Sequence, residues 1–178
     1  MKLWKKLLLG LAVCIGLFIL VGFLLPTRAH VERSVVMRAK PEAVFPRIAS
    51  LKRWPEWTAW TTNRFPDMTL RFKGPDSGVG AVMVAAGKSS GDGKVTITRA
   101  EVTKGVGYAL DFNHGTQIFQ GAITFESVGD DLKVVWSYEA ELGANPLKRW
   151  AALAFDALMG SDLETGLWNL KRRAEEPR

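Results

Sequence analysis

Residues 116–146 read TQIFQGAITFESVGDDLKVVWSYEAELGANP, and the order of side chains along them sets the architecture. Phe119, Gly121, Ile123 and Phe125 alternate with Gln120, Thr124 and Glu126, so the extended chain carries one apolar face and one wet face. Val134, Trp136 and Tyr138 alternate in the same way against Lys133, Ser137 and Glu139. Gly129-Asp130-Asp131 between the two runs is turn chemistry, and so short a connection joins antiparallel neighbours. Asn145-Pro146 then starts a helix, with asparagine as the N-cap and proline at the first helical position, where its missing N–H costs nothing.

On the N-terminal side of these strands, similar runs near 67–74, 80–87, 94–103 and 105–113 are separated by the turn signals Asp76-Ser77-Gly78 and Gly91-Asp92-Gly93, which predicts an antiparallel meander. Ahead of it, Val31 to Arg38 is β-branched and alternating, with Val31, Arg33, Val35 and Met37 on one face. Pro41-Glu42 opens a short helix whose stripe is Val44, Phe45, Ile48 and Leu51, ended by Trp54-Pro55; Pro46 predicts a kink or a 3₁₀ stretch inside it. After Pro146, Leu147, Trp150, Ala151, Ala154 and Leu158 recur at three-to-four spacing, and Leu163, Leu167, Leu170 and Ala174 continue after a shift of phase. Gly160 reads as a C-cap and Ser161 to Glu164 as a capping box, so a kink or break is predicted there. These elements bury their apolar faces only if the sheet curls around the long helix. The expected class is α+β, a curved antiparallel sheet wrapped on a C-terminal helix with an apolar pocket between them.

The N-terminus is of another kind. Leu7 to Leu25 is a run of 19 uncharged residues, long enough as a helix to cross about 30 Å of hydrocarbon. Lys2, Lys5 and Lys6 precede it, which predicts a cytoplasmic N-terminus, a single pass through the cell membrane and an extracytoplasmic domain, with Trp4 as an interfacial anchor. Residues 1–28 are thus expected as the anchor and 29–178 as the domain. The rival is a cleaved signal peptide ending at Thr27-Arg28-Ala29, against which stand the length of the run and the arginine beside the cleavage position. The formal charge is +6, and the three lysines supply half of it, leaving a balance of +3 on the rest. That is an ordinary surface, and no nucleic-acid partner is expected. The single cysteine, Cys14, lies in the apolar run, so the domain has no disulfide and no thiolate ligand.

Val31-Glu32-Arg33-Ser34-Val35-Val36, Pro41-Glu42-Ala43-Val44-Phe45 and the segment Leu51 to Trp60 with Trp54-Pro55-Glu56-Trp57 at its centre resemble the START-like polyketide cyclase/dehydrase and lipid-transport (SRPBCC) superfamily. Gly121 to Phe125, Lys133 to Ser137 and Gly160 to Lys171 are similar to its last strands and helix. Lys40 and Pro46 depart from the usual pattern. The resemblance covers roughly residues 31–175 and implies a helix-grip fold with a cavity for lipids, sterols, hormones or polyketides. Some members use pocket side chains for cyclisation or dehydration.

Chemistry is sparse in the sequence. With only His30 and His114 and no cysteine in the domain, no zinc spacing exists, and neither metal nor cofactor is expected. His114 follows Asp111 by three residues, but no G-x-S-x-G accompanies them, and a turn histidine is the simpler reading. Gly87-Lys88-Ser89 lacks the first P-loop glycine, since position 82 is Val82. Of Glu101, Asp111, Glu126, Glu139 and Glu141, strand alternation puts Glu126 and Glu139 on wet faces. Arg99 with Glu101 is the one candidate polar pair for the pocket. Trp57 and Trp60, in a loop after Pro55, are candidates for the pocket rim. The cavity candidates are Trp57, Trp60, Phe72, Arg99, Glu101, Tyr108, Phe119, Trp136, Tyr138 and Phe155. The expected function is a membrane-tethered binder or carrier of a hydrophobic small molecule or lipid. A cyclase- or dehydratase-like enzyme with the same cavity and an envelope protein-interaction module remain alternatives, with oligomeric state open.

Overall fold

The computed structural model describes residues 3–112 and 117–176. His114 and the turn around it, and Lys2 of the basic cluster, lie outside the described residues. Helix α1 (Leu3–Leu24) is followed by β1 (Arg28–Met37), α2 (Pro41–Ala49), a 3₁₀ turn (Leu51–Glu56), strands β2 (Thr69–Lys73), β3 (Val82–Ala86), β4 (Gly93–Glu101), β5 (Gly105–Phe112), β6 (Gln117–Val128) and β7 (Asp131–Glu141), and helix α3 (Pro146–Glu175). The seven strands form one antiparallel sheet in the order β1-β7-β6-β5-β4-β3-β2. The sheet curves around α3, giving an α+β helix-grip architecture with an apolar helix ahead of it.

Alternation along β6 and β7 is realised as the sequence predicts. Ile123, Val134, Trp136 and Tyr138 are buried, whereas Gln120, Glu126 and Glu139 are exposed. On β1 the predicted inner face holds: Val31 and Met37 are buried, and Arg33 points toward α3. Pro46 is accommodated inside α2. The 3₁₀ geometry comes after that helix, at Leu51–Glu56, and Trp54-Pro55 lies within this turn instead of closing α2. At one edge of the sheet, β2 carries Arg71 and Lys73, charges that discourage pairing with another chain.

Helix α3 differs from its prediction. It runs unbroken over 30 residues through Gly160, capped at its start by Asn145 Oδ1, which accepts from the Leu147 N–H at 2.9 Å. Gly160 is there for space. A Cβ at this position would collide with the Arg33 guanidinium, which crosses the helix at that point. Arg33 donates to Asp156 Oδ1 and Oδ2 at 2.7 and 3.0 Å and to Glu164 Oε1 at 2.7 Å. Glu164, read from the sequence as half of a capping box, is engaged in this clasp. The Ser161 carbonyl accepts instead from the Thr165 hydroxyl at 2.8 Å. The phase shift therefore marks no break in the helix. At about 100° per residue, Leu163 lies about 160° around the helix from Leu147, so the two stripes occupy opposite faces of one continuous helix. Leu163, Leu167 and Leu170 are buried against the sheet, while Leu147 and Leu158 point away from it and are exposed.

Two glycines make room for aromatic rings, Gly121 within the sheet and Gly166 between α3 and the sheet. A Cβ on Gly121 would overlap the Tyr108 ring on β5, and one on Gly166 would overlap the Trp136 indole on β7. Gly121→Ala is expected to lower unfolding free energy by about 1–3 kcal/mol through overpacking, read as a shift in denaturant midpoint. Gly107→Ala, whose new Cβ meets nothing nearer than 3.5 Å, is expected to change little. The clasp gives a second expectation. Arg33 holds the Asp156 carboxyl below its ordinary range, so the stabilisation is complete above the unfolded value of about 3.9 and is lost as pH falls through the depressed folded value. Asp156→Asn should flatten that part of the acid limb of a stability–pH curve, and an unchanged limb would dismiss the clasp as a contributor.

Candidate functional site

The space between sheet and α3 is divided in two. Beneath the C-terminal half of α3 it is full. Trp57 and Tyr108 are 0% and 1% exposed, and Trp54, Trp136 and Tyr138 are buried with them. Their rings meet edge-on or tilted: Trp54 and Tyr108 at 4.9 Å, Trp57 and Trp136 at 5.1 Å, Tyr108 and Tyr138 at 6.0 Å. The polar atoms are satisfied internally. Trp136 Nε1 donates to the Tyr108 hydroxyl at 2.6 Å, and Tyr108 in turn hydrogen-bonds Tyr138. Trp54 Nε1 donates to the Ile48 carbonyl at 2.8 Å and Trp57 Nε1 to that of Arg47 at 3.2 Å. Burial pushes the Tyr108 hydroxyl well above its ordinary value and that of Tyr138 up to about 12. Both stay neutral near neutral pH and serve as packing and hydrogen-bonding groups.

Beneath the N-terminal half of α3 the layers part. Between β1, the ends of β5, β6 and β7, and the first turns of α3 lies a cleft of about 550 Å³, lined by Ala29, Ser90, Gly91, Phe112, Ile118, Phe119, Ala140, Glu141, Leu142, Lys148, Ala151, Phe155, Leu158 and Met159. The cause is a choice of partner by α3: it packs chiefly on β1, at one edge of the sheet, and leaves the middle strands uncovered at this end. One wall is aromatic. Phe119 stacks on Phe155 with centroids 5.6 Å apart and 13° between planes, Phe112 meets Phe119 edge-on at 5.7 Å, and Trp60 continues the row at 5.4 Å from Phe112. Glu141 is held at the mouth by Arg28, at 2.6 Å.

Of the ten sequence candidates, the structure brings Phe119 and Phe155 to the cleft and Trp60 to the end of its aromatic row. Trp57, Tyr108, Trp136 and Tyr138 are gathered in the filled half. Trp57 sits in the core and not at a rim, because the 3₁₀ turn folds its loop back beneath α3. Phe72, 37% exposed, borders a separate small groove with Leu51, Lys52 and Pro75. Arg99 and Glu101 are turned outward. The register of β4 on β5 slips between Ile97 and Arg99, so Thr98 is an inserted residue and the face parity inverts beyond it. Ala100 then pairs with core Val106, Arg99 is exposed, and Glu101 binds Lys104 at 2.7 Å, which holds its carboxyl below the ordinary range. Sequence reasoning missed Ile118, Leu142, Ala151, Leu158 and Met159 as cleft residues. For Ala151 and Leu158 the signal is the apolar stripe from Leu147 to Leu158, out of phase with the buried one.

A metal-binding cluster of histidine, cysteine or carboxylate is absent among the described residues. Comparison with curated proteins finds none that matches this sequence. Among solved structures, the di-domain ARO/CYC StfQ from the steffimycin biosynthetic pathway aligns with a TM-score of 0.64 at 10% identity, over 84% of this chain and 51% of that one. This chain thus spans about half of that di-domain protein. The KanY protein aligns at 0.59 with 18% identity over 84% and 99% of the two chains, and a hypothetical protein from Helicobacter pylori at 0.61 with 9% over 82% and 88%. At such identities the likeness carries the fold. The sequence itself carries more, because residues 28–175 match the family model described as polyketide cyclase / dehydrase and lipid transport. With strands, clasp and cleft all inside those limits, the chain belongs to that family.

Proposed function

We propose that this protein is a membrane-tethered binder or carrier of a hydrophobic small molecule or lipid, held in the cleft beneath the N-terminal half of α3. The observation that carries the reading is the cleft itself. Its volume of about 550 Å³ lies within the range of small-molecule sites, and its lining is mostly aliphatic and aromatic. A ligand there would gain roughly 25 cal/mol for each Å² of apolar surface removed from water.

Binding is favoured over catalysis by what the lining holds. Among its described residues the ionisable groups are Glu141 and Lys148, both exposed, and Glu141 is already paired with Arg28. A cyclase or dehydratase would call for an acid or base aimed at the centre of the cleft with a pKa tuned by burial. The two buried tyrosines lie in the filled half and stay neutral.

Tethering rests on α1. It is long and apolar enough to cross a bilayer, as a signal sequence also is. Its contacts support retention. Arg149 donates to the carbonyls of Phe23 and Leu25 at 2.8 and 3.4 Å, satisfying groups left open at the C-terminal end of α1, and Trp150 stacks on Phe18 at 4.4 Å. A segment destined for removal has no use for such docking. Lys5 and Lys6 favour the cytoplasm for the N-terminus and the opposite side for the cleft domain.

Titrating the detergent-solubilised full-length protein with a fluorescent fatty-acid probe should give saturable binding. Ala151→Trp, which places an indole in the cleft, should weaken it at least about tenfold, or about 1.4 kcal/mol, with an unchanged circular-dichroism spectrum. Equal binding by the two proteins would place the probe elsewhere, and absence of binding in both would remove the reading.

A further inference from the structure

The outward face of the N-terminal half of α3 is apolar without interruption. On a wheel of about 100° per residue, the positions pointing away from the sheet between 147 and 158 are leucine, alanine or tryptophan throughout. Leu147, Leu153 and Leu158 are 59%, 61% and 69% exposed. The opposite face of the same turns carries Phe155, buried on the sheet, and Asp156, in the Arg33 clasp. In water such a face is costly, since three leucines forgo about 1.5–3 kcal/mol each, so something apolar is expected to cover it.

The neighbouring helix says what. Trp150 on this face stacks on Phe18 with 3° between the ring planes and donates Nε1 to the Phe18 carbonyl at 3.2 Å. Phe18 lies six residues before the end of α1, which is about 9 Å along the helix axis. Gly22 is bare where Pro146 presses on it. If α1 spans a bilayer, the first turns of α3 are therefore held at the depth where tryptophan side chains collect, between headgroups and acyl chains. The charge fits as well: from Gly143 to Phe155 there is no acidic residue, and Lys148 and Arg149 are basic. An interfacial helix has this composition, apolar on one side with basic residues beside it; Arg149 is bound to the α1 carbonyls, and exposed Lys148 is the cation left to meet lipid phosphates.

We propose that the face of α3 from Leu147 to Leu158 lies in the membrane–water interface beside α1, so that the mouth of the cleft opens onto the bilayer. Ala151 and Leu158 belong to this face and also line the cleft, so a lipid-sized apolar molecule passes between acyl chains and cleft without crossing water. The inference rests on α1 being a retained span, and the test separates the two.

Cys14, the only cysteine, reports on the span. In a Cys14→Ser background, Leu153→Cys and Leu158→Cys report on the face. Val102→Cys, in the exposed β4–β5 turn at the far end of the sheet, serves as control. Each variant of the full chain carries a solvatochromic label and is reconstituted in vesicles of phosphatidylcholine with a minority of phosphatidylglycerol, with nitroxides placed shallow or deep on the acyl chains. The expected result is a blue-shifted emission at 153 and 158 quenched severalfold by the shallow nitroxide, a label at Cys14 quenched by the deep one, and no effect at 102. Water-like emission at 153 and 158 with Cys14 quenched overturns the proposal and leaves the anchor standing. Dry but unquenched labels at 153 and 158 overturn it too, because protein, such as a second copy, then covers the face. An unquenched Cys14 label removes the anchor and the proposal together.

Discussion

The length of one continuous helix governs the remainder of the molecule. Thirty residues of α3 extend about 45 Å, whereas β1, the strand it chiefly packs on, has 10 residues and extends about 34 Å, and even β6, the longest strand, has 12 and extends about 41 Å. A rod longer than the sheet beneath it overhangs at one end. The C-terminal end is fixed: Asn169 donates to the Trp57 carbonyl at 3.2 Å, Lys171 to that of Val36 at 2.8 Å and Arg173 to that of Glu56 at 2.8 Å. The surplus therefore appears at the N-terminal end, where the first turns of α3 leave the sheet and meet α1. The Arg33 clasp near mid-helix keeps the rod on the edge strand, and the bare flank at Gly160 lets the guanidinium lie close enough to reach both carboxylates.

The same arrangement explains why the interior is full at one end and open at the other. Gly166 admits the Trp136 indole, Gly121 admits the Tyr108 ring, and the hydrogen bond between those two side chains lets large polar-tipped aromatics fill the space without an orphaned donor. Among the described residues, no buried side-chain nitrogen or oxygen lacks a partner. Toward the α1 end the fillers are phenylalanines from β5, β6 and α3, which line a wall without closing the gap. The position of a cavity in this fold thus depends on where glycine permits an indole to enter.

Much of this was legible in the sequence, where periodicity is local. Strict alternation from Phe119 to Phe125 and from Val134 to Tyr138 defined the inner face, and Asn145-Pro146 marked the start of α3 to the residue. The failures arose where a distant partner decides. Gly160 and Glu164 carry local signs of a helix end, and only Arg33, more than a hundred residues earlier, shows their use. Arg99 and Glu101 share a face with Ile97 on any unbroken strand, and one inserted residue at Thr98 reverses them. Trp57 in a loop looked like a rim residue because nothing local announces that a 3₁₀ turn will return it to the core.

Those errors share a direction that bears on function. The readings of Arg99, Glu101 and Trp57 each placed a polar or amphipathic group in the cavity, and each correction removed one, leaving a cleft whose chemistry is chiefly dispersion and hydrophobic burial, with Ser90, Glu141 and Lys148 as its polar side chains. Such a site selects by size and shape, since a missing methylene changes affinity only modestly while an unpaired polar group is strongly rejected. Under the proposed function, selectivity among apolar molecules would then come largely from access. With α1 as the proposed membrane span, a cleft whose mouth opens beside it would meet solutes already concentrated in the bilayer, and partitioning would do part of the selecting before any side chain is touched. On this argument the apolar outward face of α3 and the apolar lining of the cleft are two parts of one route, and the long helix that carries both is what joins them.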